Sequence, residues 1–197
     1  MARHSLRDAI LDAGLKVMIR QGYGGAGVRH IVAAASAPQG SFTNHFRSKE
    51  EFARAVLDRY FDELKVIVTE ALGDTSRTPR QRLRRYLDII TERLARAEFG
   101  RGCLIGDFSL EAAPQSEMLR ARLAAIFAEW RAPFAACIAE GQAAGEIDTT
   151  FAPAELADFL LASWEGAILR MKVERNAAPL ERFKRIAFAT VFKQPRE

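Results

Sequence analysis

The sequence predicts an all-α protein of about nine helices: three short ones at the N-terminus, a long linking helix, then a bundle. Three observations carry this. Apolar residues recur at spacings of three and four almost from end to end. No strand-like alternation of any length interrupts them, and there is no internal repeat. Breaks rich in glycine or proline fall at regular intervals, at residues 22–27, 36–38, 73–79, 100–102, 145–148 and 178–179.

Each helix has a local reason. Over residues 6–21, Leu6, Ile10, Gly14, Val17 and Met18 share one face, and a glycine cluster ends the run. Residues 28–35 form a second helix with Val28, Ile31 and Val32 inward. Pro38 opens a third, about residues 38–46, with Phe42 and Phe46 four apart on its buried side. Ser48 and Glu51 have capping-box spacing and start a long helix to about Leu72. Residues 80–97 follow, basic at the start, with Leu83, Leu87, Ile90 and Leu94 as the stripe. Residues 103–113 are a short helix. Residues 115–144 carry Leu119, Leu123, Ile126, Trp130, Phe134 and Cys137, and Pro133 inside them predicts a kink near Trp130. Residues 153–175 and 180–192 complete the set.

The chain has 197 residues, 49% of them hydrophobic and 27% charged, which is ordinary globular composition. No apolar run reaches the roughly 18 residues of a membrane span, so no membrane partner is expected. Two cysteines, Cys103 and Cys137, give neither a disulfide framework nor a CxxC pair, and the chain reads as cytoplasmic with reduced thiols. Net charge is +4, and all of the excess lies in residues 1–50, where seven Lys/Arg face three acids. The three histidines, His4, His30 and His45, lie there as well. A basic segment on a neutral remainder suits a polyanionic partner. The body therefore has no histidine base for catalysis, and no His/Cys cluster suits a metal. No cofactor is expected.

Two short helices joined by a tight turn, with another helix behind them, are the parts of a helix-turn-helix. With Phe42 and Phe46 inward, Gln39, Gly40, Thr43 and Asn44 must face out, flanked by Ser41 and His45. Amide and hydroxyl side chains of this size read base edges in a major groove. Arg29, Arg47 and Lys49 lie where phosphates would pass. Residues 1–50 are the candidate DNA-binding domain and residues 51–197 the candidate sensing and dimerisation domain.

Residues 6–56 resemble the N-terminal domain of the TetR family of transcriptional regulators. The residues that carry the resemblance are Ile10-Leu11-Asp12-Ala13, Gln21-Gly22-Tyr23, Val28-Arg29-His30-Ile31, Gly40-Ser41-Phe42, His45-Phe46 and Ser48-Lys49-Glu50. The family usually has Thr where Ala26 and Gly27 stand, Gly at Ser36, often Lys at Gln39, and Tyr at Thr43. The last two commonly touch the DNA backbone, so their absence implies fewer phosphate contacts. The resemblance implies a dimer on a palindromic DNA operator, controlled by a small-molecule effector, usually as a repressor and not as an enzyme.

In the body, Gly102-Cys103-Leu104-Ile105-Gly106, Ser109-Leu110-Glu111, Ser163-Trp164-Glu165-Gly166-Ala167 and Lys172-Val173-Glu174-Arg175 resemble one subgroup of that family. Its members regulate reductase and detoxification genes and respond to electrophiles or small unsaturated compounds. They include the repressor of N-ethylmaleimide reductase and regulators of acrylate metabolism. Cys103 opens a helix two residues after Arg101, and both features favour a thiolate. A small buried hydrophobe is the alternative role. The resemblance implies Cys103 as sensing thiol, with Lys172 near it. Cys137 reads as core. Phe108, Phe127, Trp130, Phe134, Phe159 and Trp164 are candidates to line an effector cavity, and Asp107 and Arg170, if inward, would orient a ligand. The last two helices are the expected homodimer interface. A thiol-dependent enzyme using Cys103 and a non-sensing architectural DNA binder are the alternatives.

Overall fold

A computed structural model describes residues 5–194; His4 and Arg3 fall outside them. Nine α-helices are present among the described residues: α1 Leu6–Gly25, α2 Val28–Ala34, α3 Ser41–His45, α4 Lys49–Leu72, α5 Pro79–Arg96, α6 Leu104–Glu111, α7 Glu117–Ala143, α8 Pro153–Glu174 and α9 Ala178–Thr190. No helix is long and apolar enough to cross a membrane. Among the described residues no group of three or more His, Cys, Asp or Glu could hold a metal ion.

The chain forms two compact units. The first joins Met1–Glu63 to Cys103–Ile126; the second joins Leu64–Gly102 to Phe127–Glu197. The unit around the N-terminal helices thus takes in α6 and the start of α7, a segment that a linear reading assigns to the body.

In the first unit, Ile10, Met18, Ile31, Phe52, Leu57 and Phe108 are fully buried. Gly14 admits this packing: a β-carbon there would stand 2.2 Å from the Phe52 ring. Ser5 caps α1, accepting from the Asp8 amide at 3.2 Å. Leu6, expected inward, is 41% exposed because it stands in the first turn, ahead of the packed stripe. Inside α1, Gly22 has φ +71° and ψ −178°, a combination open essentially to glycine. The helix ladder breaks there, at the glycine cluster.

Arg59 ties α4 to α1 through Asp12 at 2.8 Å and Asp8 at 3.5 Å. Ser48 caps α4 by accepting from the Glu51 amide at 3.1 Å, as its spacing predicts. The return arm differs: Glu51 accepts from the Arg47 amide, also at 3.1 Å.

In the second unit, Leu83, Tyr86, Phe134, Trp164, Leu180 and Phe192 form the core. Tyr86 and Phe134 meet edge to face at 4.8 Å. Thr78 and Gln81 cap α5 reciprocally. Arg82 is buried; it donates to the Leu72 carbonyl at 2.8 Å and to Glu140. Every predicted stripe residue of α7, from Leu119 to Cys137, is buried, and the helix runs through Pro133.

Candidate nucleic-acid interface

The recognition segment is built on three phenyl rings. Phe42 and Phe46 are buried, 5.4 Å apart, and both pack on Phe52 of α4, Phe42 tilted at 5.1 Å and Phe46 edge to face at 4.8 Å. The Arg7 guanidinium lies 5.2 Å above Phe46 and closes the cluster from α1. Anchored from beneath, the segment turns Gln39, Gly40, Thr43, Asn44 and His45 to the surface, and Arg29 is exposed on α2. Two expectations change. Ser41 is buried, because the first residue of α3 faces the same side as Phe42. The helix also begins at Ser41, so Gln39 and Gly40 sit on the preceding turn. The Thr43 hydroxyl donates to the Gly40 carbonyl at 3.0 Å, which leaves its oxygen free to accept from a base.

Lys49, the expected phosphate contact at the start of α4, is half-buried. Its Nζ lies 4.6 Å from the centroid of the Tyr23 ring. Burial lowers the pKa of its ammonium, and the Glu111 carboxylate opposes that shift. Tyr23 in turn packs edge to face on Phe108 of α6, at 5.6 Å. Burial raises the Tyr23 phenol, and the charge of Glu50 adds to it. Glu111 accepts from the Gly24 amide at 3.1 Å, and its carboxylate would overlap any β-carbon on Gly22. Tyr23 belongs to the recognised motif, but its ring partner Phe108 lies more than eighty residues on. No periodicity in the sequence connects them.

The expected effector residues divide between the two units. Cys103 is buried and stands at the N-cap of α6, its carbonyl accepting from the Asp107 amide at 2.9 Å. Asp107 is half-buried and Phe108 fully buried. These three belong to the first unit; Trp130, Trp164, Arg170 and Lys172 belong to the second. Trp130 and Trp164 are buried, and their indole N–H groups meet no acceptor among the described residues. Lys172 is half-buried. Arg170 does not point inward: it is exposed and pairs with Glu174 one turn along α8. Phe159 is also on the surface, 47% exposed, on the side of α8 opposite Leu160 and Leu161. Cys137 is core, as its place on the α7 stripe predicts, and donates to the Pro79 carbonyl at 3.4 Å.

Comparison with known proteins bears on the same surfaces. Residues 10–56 match the family described as bacterial regulatory proteins, tetR family, and residues 79–187 match the tetracyclin repressor-like C-terminal domain. The transcriptional repressor DhaR of Mycobacterium sp. (strain GP1) is 47% identical over 188 residues, 95% of this chain and 93% of that protein. The transcriptional regulator AcuR of Cereibacter sphaeroides is 36% identical, over 90% of this chain and 81% of its own. The crystal structure of the reduced form of E. coli NemR superposes with a TM-score of 0.86 at 26% identity, covering 98% of this chain and 100% of that one.

The chain belongs to the TetR family. That places it among DNA-binding transcriptional regulators, not enzymes. One departure from the TetR pattern has a visible structural consequence. Ser36, where the family usually has glycine, sits in the left-handed region at φ +51° just past α2. The Ala37 amide there returns to the Val32 carbonyl at 3.0 Å and closes the helix end.

Proposed function

We propose that this TetR-family regulator represses transcription as a cytoplasmic homodimer on a two-fold symmetric operator. Gln39, Gly40, Thr43 and Asn44 read base edges, and Arg29, His45 and Lys49 position the phosphates. The observation that carries this reading is the outward turn of Thr43 and Asn44 over the buried Phe42 and Phe46. Dimerisation is supported by the uncovered apolar stripe of α8. Phe159, Leu169 and Val173 are exposed there at helical spacing, and Ile186 is exposed on α9.

The effector in this reading is a small electrophilic or unsaturated compound. It acts on Cys103, with Asp107 and Phe108 following that thiol in α6; Trp130, Trp164 and Lys172 are separate candidate contacts within the second unit. The N-cap position of Cys103 supports a reactive thiol. So does similarity to E. coli NemR, whose crystal structure is of a reduced form. The two buried indole donors favour an effector that carries a hydrogen-bond acceptor. Modification or binding favours an arrangement of the two heads that fits the operator less well; a tenfold change in affinity needs only about 1.4 kcal/mol.

Asn44→Ala and Gln39→Ala are each expected to weaken operator binding by roughly 1–3 kcal/mol. Both side chains are exposed, so thermal unfolding should not move. Fluorescence anisotropy with labelled operator measures the first and calorimetry the second. Wild-type affinity in both variants would rule out this recognition surface.

A further inference from the structure

The second unit carries a groove that the regulatory reading leaves unused. It lies where the start of α5 meets α9, and its volume is about 730 Å³. Arg80, Arg84, Arg182 and Arg185 line it, with Glu181 as the one carboxylate on its wall and Phe188 beneath. Arg80 is held in place by neutral partners: its guanidinium donates to the Phe188 and Phe192 carbonyls, both at 2.8 Å. Arg80 and Arg84 both lie against the Phe188 ring, at 5.4 and 5.7 Å.

The nearby acids are largely engaged. Lys184, on the buried face of α9, takes both Asp88 and Glu181 at 2.7 Å. Arg84 reaches the same two carboxylates only at 3.3 and 3.9 Å. The Glu146 carboxylate accepts from the Arg80 amide at 3.3 Å. Arg182 and Arg185 are exposed and meet no carboxylate among the described residues. Four arginines and Lys184 therefore face three acids, and the surplus is concentrated in the groove.

We propose that this groove binds the phosphate groups of a small oligophosphate, either an inorganic chain or a nucleotide. Guanidinium forks match phosphate oxygens two at a time, which a lysine cluster would not do. The volume lies within the range of small-molecule sites, about 300–1,000 Å³. It is larger than a single orthophosphate fills, and two arginines stand on each of the two helices. A chain of two or three phosphates engages both helices at once. Ile186, the exposed large apolar residue of α9, does not itself line the groove.

Titration calorimetry on the full chain tests this, with orthophosphate, tripolyphosphate and ATP as probes at low and high salt. The expected result is saturable binding of tripolyphosphate or ATP, one per chain, weakened by salt and tighter than that of orthophosphate. The tighter of the two long probes identifies the source. The double variant Arg182→Gln/Arg185→Gln should bind at least about tenfold more weakly, the loss of one or two charge-assisted contacts. Its unfolding temperature should stay unchanged, since both side chains are exposed. Arg185→Glu alone changes the net charge by the same two units and should weaken binding comparably. Absence of saturable binding, equal affinity for orthophosphate and tripolyphosphate, or unchanged affinity in both variants would overturn the assignment.

Discussion

The ammonium of Lys49 rests on the ring of Tyr23, 4.6 Å from its centroid, so the first residue of α4 is positioned by the end of α1. A cation over an aromatic face contributes about 0.5–2 kcal/mol depending on desolvation. The same ring also packs on Phe108. Tyr23→Leu removes both contacts and should lower stability by about 1–2 kcal/mol. It should also weaken operator binding, because the Lys49 side chain is no longer held. Lys49→Ala loses only the cation–ring contact, so it should lower stability by about 0.5–1 kcal/mol and reduce the slope of log affinity against log salt by about one. Anisotropy titrations across a salt series separate the two. An unaltered slope in Lys49→Ala would remove Lys49 from the phosphate contacts.

Ser36 offers a simpler test. A residue with a β-carbon at φ +51° carries a penalty of about 1–2 kcal/mol that glycine does not. Glycine gives back part of the gain through the greater freedom of its unfolded chain. Ser36→Gly should therefore stabilise the protein by about 0.5–1 kcal/mol. Urea unfolding measures it, and a loss of stability would mean that the serine hydroxyl supports the turn.

The contrast between these two sites shows what the sequence could and could not disclose. Ser36 follows a helix and precedes Ala37-Pro38, so its turn is legible locally, as are the apolar spacing of Phe42 and Phe46 and the Ser48 cap. All nine helices follow from information of that range, within a few residues at their ends. The platform under Lys49 is different. Tyr23, Phe108 and Glu111 meet because α6 packs on α1, and nothing in either segment announces the other. Arg170 and Phe159 fail for a related reason. Both lie on a helix apolar around much of its circumference, so spacing alone does not say which apolar face is covered.

The two thiols should differ in reactivity. Burial pushes the Cys137 thiol from its ordinary 9.0 up to about 11; Glu140 and Glu146 add to the shift and Arg82 opposes it. At neutral pH Cys137 is then almost wholly protonated and slow to alkylate. Brief treatment with N-ethylmaleimide, followed by peptide mass spectrometry, should label Cys103 first. Label on Cys137 alone, or on neither thiol, would count against Cys103 as the sensor. The raised value also fixes a sign for stability. The folded chain holds this proton more tightly than the unfolded one, so the contribution is complete below pH 9 and declines from about 9 to 11. Cys137→Ala should remove that part of the alkaline decline.

Lys184 and Asp88 make an asymmetric pair. The Lys184 side chain is 3% exposed, whereas Asp88 is 35% exposed and also has Arg84 at 3.3 Å. Removing the lysine charge with Lys184→Met leaves a side chain of similar volume in the core. It also leaves two carboxylates that water and Arg84 can still reach. The cost should be about 1 kcal/mol, discounted for solvent screening of Asp88. Asp88→Ala instead leaves a buried ammonium with Glu181 alone, on the half-exposed side of α9. An uncompensated buried charge costs more than the pair ever contributes, and about 2–4 kcal/mol is expected. Paired urea unfolding of the two variants decides the matter: equal losses, or a larger loss for Lys184→Met, would show that the ammonium's own pairing, and not the aliphatic stem that Met keeps, holds α9 to α5.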